Sequence, residues 1–421
     1  MRNVLLLALI AACTTTDPGL KGTQSLQVKL DAPTDPGSEN SRIDFATNST
    51  ATIEVTAIDV DGNIDTTFDN TVGVYVNYLG TLTPYLCDPI NDEVNPSPEC
   101  PTTPLATITM ANGVSTAPTA VPLPPVFGPA TLWVDDGQDM TSPTYAVGTS
   151  DTLWYRDPFI ADTQDPGNVN LSNQLAVEQA LDTSPLAGKN VSVLSSRYGA
   201  NGRLVVTSVF AQGYTVADVQ CTDANGTPPC VSKPYDYEEV FSFSAPEDQN
   251  GCFLLEGQTI DGFAGGMSDF DGLTEVGFPQ TFVAQTSDMD CTKVTSNPAM
   301  EPTTTVVDST WFTGSGQIQF EENEAGAIEV DNAVMCNLDS DYDEFSQWKV
   351  DPAGVGGDCS RNDNVINIIA SDMIQGLDTA KLTSLQGQAI PKIVGILRPI
   401  NIGSFNVWLI FPRGNADVQL P

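Results

Sequence analysis

Histidine is absent from all 421 residues, and positive charge is scarce: 16 Lys and Arg stand against 54 Asp and Glu, a formal net charge of −38. Histidine is the one side chain that titrates unaided near neutral pH. Its absence excludes Ser-His-Asp and Cys-His nucleophile systems, His-ligated zinc and His general bases. The few basic residues are scattered, so there is no run of the kind that binds nucleic acid through counterion release. No CxxC pair occurs, which argues against a thiolate metal site. The apolar run at residues 4–12 is too short to span a bilayer. What is present is apolar material, 40% of the chain, alternating with polar residues over long stretches. That pattern means folded cores rather than acidic disorder, and the length suits two to four domains.

Residues 1–13, MRNVLLLALIAAC, carry one positive charge, an apolar run, two small residues and a cysteine. They resemble the signal peptide of bacterial lipoproteins, with Ile10-Ala11-Ala12-Cys13 as the lipobox. The resemblance implies removal of residues 1–12 and lipidation of Cys13, with residues 13–24 as a tether. Acyl chains contribute ~0.8 kcal/mol per buried CH₂, enough together for stable membrane attachment. Thr14, where an Asp would signal retention, implies outer-membrane sorting, on the periplasmic or cell-surface face. Eight further cysteines remain, an even number in an exported chain, which points to disulfides. Eight allow 105 pairings. Pairing sequence neighbours is the simplest: Cys87–Cys100, Cys221–Cys230, Cys252–Cys291 and Cys336–Cys359.

Residues 25–152 read as short strands, among them SLQVKL, ATIEVTAIDV, TVGVYVNYL, LATITM and ATLWVDD, separated by Gly, Asn, Asp and Pro. This predicts an antiparallel sandwich. The run TIEVTAIDVDGNIDTTFDNTVGVYV resembles a hairpin of bacterial immunoglobulin-like surface domains. Residues 153–183 break the rhythm and read as a connection, with one short helix expected at 171–181 (LSNQLAVEQAL).

Further on, an ordered series of motifs appears: Ile160, Asp162 and Gln164; Ser184 to Gly188 (SPLAG); Gly202, Val206, Thr207, Val209, Gly213 and Tyr214; Ser268 to Val276; and Trp408 to Arg413. The series resembles the OB-fold module that precedes the catalytic domain of secreted endonuclease/exonuclease/phosphatase-type nucleases. It covers residues 158–421 and implies two OB-like β-barrel halves, 184–298 and 299–421. The expected fold is therefore mainly β: an immunoglobulin-like β-sandwich, then two OB-fold-like β-barrel halves, with one short helix. The catalytic block of those nucleases is not found before Pro421, so the module is expected without its catalytic partner.

Two acidic clusters are candidate cation sites, with calcium as the candidate ion and no other cofactor indicated. Asp59, Asp61, Asn63 and Asp65 alternate oxygen ligands like the start of a Ca²⁺ loop, yet Ile64 and Asn70 stand where an EF-hand needs Gly and Glu; a hairpin turn explains the run equally. Asp339, Asp341, Asp343 and Glu344 form the denser cluster, alternatively a solvated loop. A carboxylate pair for glycoside hydrolysis cannot be singled out among 54 acids. Lys392, Arg398 and Arg413 near Trp408 are the only local concentration of positive charge. Tyr214, Tyr235, Tyr237 and Trp348 are candidate contact aromatics, or core.

These features predict a non-catalytic surface lipoprotein, membrane-attached through its lipid anchor, that binds a protein, glycan or cation partner at the envelope. Two alternatives remain open: an accessory nucleic-acid-binding module acting with a separate nuclease, which the acidity disfavours, and a carboxylate-dependent hydrolase.

Overall fold

The computed structural model describes residues 22–79, 103–138, 145–166, 184–270, 272–284, 290–312, 314–359, 366–368, 377–402 and 405–421. Cys13 and its leader, Cys87–Cys100 and the helix expected at 171–181 lie outside them. The protein is mainly β, and it divides into two compact units after Arg156.

In the first unit, Thr50–Asp59 (TATIEVTAID) alternates inward Ala51, Ile53, Val55 and Ala57 with outward residues, the period-two pattern of a half-buried strand. It pairs antiparallel with Thr23–Ala32. The pairing continues through Val114–Ser115 and Ala106–Ala111 to Thr71–Tyr78, Pro129–Asp135 and Val147–Thr149. Asn112 and Gly113, both with positive φ, turn Ala106–Ala111 into Val114–Ser115, the backbone that an Asn-Gly pair tolerates best. The sheet curls until its ends meet. At Gly148 a Cβ would stand 1.7 Å from the Leu26 carbonyl oxygen, so only glycine admits this approach. Ile53, Val55, Val72, Val74, Leu132, Val134 and Tyr155 lie in one core. Leu153–Trp154, expected in the connection, is a strand of this unit, paired with Pro129–Asp135.

The second unit holds two barrels of the same topology. In the first, Gly202–Phe210 pairs with Gly213–Gln220, and that strand with Tyr237–Phe241. Tyr237–Phe241 runs parallel to Leu273–Phe282, which pairs with Gly262–Phe270. Thr259–Ile260, separated from Gly262–Phe270 by Asp261 alone, pairs back onto Gly202–Phe210 and completes the ring. In the second barrel Ala327–Met335 pairs with Trp348–Asp351, then Ile366–Ile368. Ile366–Ile368 lies parallel to Phe405–Phe411, which pairs with Ala389–Ile402, and that strand returns to Ala327–Met335. Five strands in the order 1-2-3-5-4-1, with 3 parallel to 5, are the OB-fold arrangement. The two OB-like halves read from the sequence are thus present.

Helices are short: α1 (Ile160–Gln164), α2 (Ile318–Glu322), α3 (Ser340–Phe345) and α4 (Thr379–Leu385). Sequence periodicity indicates none of them, because five to seven residues are too few to display a helical repeat. Helix α4 packs Leu382 and Leu385 into the second barrel's core, beside Trp348, Ile393 and Leu397. Disulfides join Cys221–Cys230, Cys252–Cys291 and Cys336–Cys359, as the neighbour pairing expects. Among the described residues no helix is long and apolar enough to cross a membrane, which says nothing of strands.

Candidate functional site

The acidic motif at 59–65 forms a hairpin turn. Asp59 Oδ1 accepts hydrogen bonds from the Asp61 and Asn63 amides at 2.9 and 2.8 Å. Asp65 is buried apart from it: Oδ2 accepts from Thr23 Oγ1 at 2.9 Å, and Oδ1 from the Thr67 amide and hydroxyl at 3.0 and 2.6 Å. The Thr67 hydroxyl leads these bonds in holding the Asp65 carboxyl below its ordinary range. The Asp59 and Asp65 carboxylates thus serve separate local bonds, while Asp61 and Asn63 take part through their backbone amides.

At the second motif, Asp339 caps helix α3 by accepting from the Asp341 amide at 3.1 Å. Asp339 Oδ2 and Asp341 Oδ2 each receive Lys349 Nζ at 2.6 Å, while Asp343 and Glu344 are exposed. Lys349, 2% exposed, occupies the position that a metal ion would take between the two aspartates. The sequence concealed this, since Lys349 sits in a separate strand, WKVD, whose nearness to the acidic loop exists only once the barrel closes. Among the described residues no three Asp, Glu, Cys or His side chains converge with metal-ligand geometry.

The larger concentration of acid lies where the two barrels meet. Tyr237–Phe241 (YEEVF) presents Glu238 and Glu239 to opposite faces, as successive strand residues do. Both are fully buried. Glu238 faces helix α1, with Gln164 Nε2 donating to Oε1 at 2.9 Å and Thr163 Oγ1 lying 2.7 Å from Oε2. Burial pushes the Glu238 carboxyl up to about 8, against the pull of Thr163 and Gln164. Glu239 faces the second barrel, pairs with Arg398 and stands opposite Glu275 on the neighbouring parallel strand. Burial raises Glu239 to about 7, with Arg398 opposing.

The end of α2 adds Glu321, and the turn after it Glu324. Glu324 Oε1 accepts from the Thr274 amide at 2.7 Å, while Oε2 of each glutamate is buried without a partner. Thr274 Oγ1 also donates to Asp269 at 3.1 Å. Burial, then the neighbouring Asp269 and Asp165, raises Glu321 to about 8; burial and Glu321 raise Glu324 well above its ordinary value.

The motif residues frame this seam. Ser184 Oγ donates to the Thr163 carbonyl at 2.7 Å, so the SPLAG turn braces α1. Asp162 caps α1 by accepting from the Phe159 amide at 2.8 Å. Arg413 donates to the Thr207 carbonyl at 3.0 Å and pairs with Glu301 at 2.7 Å and Asp417 at 3.0 Å. The buried glutamates do not face solvent, so no substrate meets them in this conformation.

The basic triad is committed internally, Lys392 to Glu329, Arg398 to Glu239 and Arg413 to Glu301 and Asp417. Of the four candidate aromatics, three take the core alternative. Tyr214, Tyr237 and Trp348 are buried core and Tyr235 is half-buried. Exposed aromatic surface comes instead from phenylalanines. Phe243 (67% exposed) meets Phe241 edge-to-face and Phe278 (73% exposed) at a tilt, each centroid separation being 5.2 Å. Phe278 holds φ +51°, a left-handed conformation uncommon for a bulky residue. The signal was present in sequence as FSF and GFP, but apolar residues in β segments are ordinarily read as core. No protein-family model, no curated protein and no solved structure matches this chain.

Proposed function

We propose that the chain is a non-catalytic, lipid-anchored envelope protein whose first OB-like barrel docks a protein partner through Phe241, Phe243 and Phe278. The observation that carries this reading is Phe278, a large apolar side chain held in solvent on left-handed backbone. Such strain persists where function maintains it. Contiguous exposed aromatics are characteristic of interaction sites, where rings supply the anchors. Charge selects the partner. With a net charge of −38 and the triad Lys392, Arg398 and Arg413 bound to internal carboxylates, the chain repels nucleic acid and anionic lipid and favours a protein with a basic rim. The lipobox resemblance at Cys13 supports anchoring at the outer membrane.

The test is cross-linking in native envelopes with the wild-type protein and with Phe243→Asp and Phe278→Asp. The reading expects one protein adduct, lost in both variants and weakened by salt. Binding to a neutral glycan or to single-stranded DNA that survives both substitutions overturns it. Acyl labelling that fails at Cys13 removes the anchor.

A further inference from the structure

The contacts around Glu238 need a proton that Thr163 cannot supply. Thr163 Oγ1 lies 2.6 Å from the Ile160 carbonyl oxygen and 2.7 Å from Glu238 Oε2. A threonine hydroxyl has one proton, and the carbonyl only accepts. When that proton lies toward Ile160, the second contact is a hydrogen bond only if Glu238 donates. Gln164 Nε2 already donates to the other oxygen, Oε1, at 2.9 Å. Glu238 as a neutral carboxylic acid thus satisfies every group, whereas its carboxylate leaves one short contact without a proton.

Burial without partners disfavours charge on two further carboxyls across the seam. Glu324 carries one oxygen on the Thr274 amide and one without a partner, and Glu321 Oε2 likewise has none. The charged groups facing Glu324 are Glu321, Glu238 and Asp269, and those facing Glu321 are Asp269 and Asp165. Tyr235 faces Asp165, Glu321 and Glu322; Glu238 faces Glu239, and Tyr214 faces Glu238. Arg398, which reaches the seam from the second barrel, is paired with Glu239. Carboxyls buried side by side destabilise one another when charged, and protons are the smallest remedy.

We propose that Glu238, Glu321 and Glu324 form an acid-closed clasp, in which neutral carboxyls pin α1 and the 321–326 turn to the first barrel and ionisation opens it. Opening hydrates the carboxyls, which then release their protons, so alkali drives it. With one proton released, the opening equilibrium rises about tenfold per pH unit between the ordinary and raised values, and about a hundredfold with two. The clasp ties the geometry of the 157–421 unit to external pH.

Hydrogen exchange of the whole protein from about pH 5 to about pH 9, corrected for intrinsic rates, tests this. Protection in 160–165, 237–241, 273–276 and 321–326 is expected to fall at least tenfold per pH unit, while that of 51–57 stays level. Glu238→Gln mimics the neutral acid, since its amide donates to Thr163 and accepts from Gln164. That variant is expected to lose about a tenfold share of the dependence, and Glu324→Gln a further share. Should a variant not fold, the wild-type infrared spectrum decides, because a buried neutral carboxyl keeps its C=O stretch at neutral pH and loses it in alkali. Level wild-type protection, an undiminished dependence in both glutamine variants, or absence of that stretch overturns the proposal. So does restored protection in alkali on adding Ca²⁺ or Mg²⁺, which would make the carboxylates metal ligands.

Discussion

Arg398 of the second barrel lies against the fully buried carboxylate of Glu239 in the first, and the two residues are 159 positions apart. The guanidinium also rests over the rings of Phe210, at 5.6 Å, and Phe411, at 4.8 Å, one from each barrel. Arg398→Met leaves Glu239 buried without its counter-charge. Arg398 is 24% exposed, so the expected loss is at the lower end for a broken buried pair, about 3 kcal/mol. Urea denaturation measures it, and adding Glu239→Gln is expected to recover part of the loss.

The two units respond oppositely to acid. Burial holds Glu238 up at about 8 in the fold, so its contribution is fully present below the ordinary value of 4.5 and is lost as pH rises toward 8. Asp65 is held below 3.8, chiefly by the Thr67 hydroxyl, so its contribution is present above 3.8 and is lost as pH falls through its lowered value. Calorimetry should show the transition of the 157–421 unit moving up from about pH 8 to about pH 5, and that of the first unit falling below about pH 4.

Lys349 is a buried ammonium that bridges Asp339 and Asp341. Lys349→Ala removes the charge that both carboxylates face, with an expected cost of about 2–3 kcal/mol. Calcium is expected to raise the melting temperature of that variant's second barrel and to leave the wild-type second barrel unmoved. Thermal shifts with and without calcium check both.

Cys252–Cys291 closes a span of 39 residues and Cys221–Cys230 a span of 9. Loop-closure entropy favours the longer span, about 4 kcal/mol against about 3. Paired Cys→Ser substitutions compared by chemical denaturation should show the larger loss at 252/291.

Phe278→Gly relieves the left-handed backbone and is expected to add about 0.5–1 kcal/mol of stability. The same variant is expected to lose the proposed partner, so stability and binding move in opposite directions. Denaturation and cross-linking on one preparation test this.

Much of the architecture was legible along the chain. TATIEVTAID alternates because one face of its strand is wet, so periodicity reports the burial directly. Cys221 and Cys230 paired because a short, turn-rich segment brings them together, whereas Cys252 and Cys291 meet only after the strands between them pair. The second aspartate cluster was legible as acid but not as an occupied ion pair, since Lys349 belongs to another element. YEEVF carries a glutamate on each face of its strand, and both are buried, one by α1 and the other by the second barrel.

Sequence alone determined the β class, the even count of cysteines beyond Cys13 that points to disulfides and the acidity that disfavours nucleic acid. Each rests on local periodicity, residue counts or summed charge, none of which needs a fold to be known. Tertiary structure decided which charges are neutralised, which aromatics reach solvent and where carboxyls are dehydrated. Those depend on distances and solvent access between residues as far apart as Glu239 and Arg398, and burial changes the energy of a charge far more than its neighbours in the chain do.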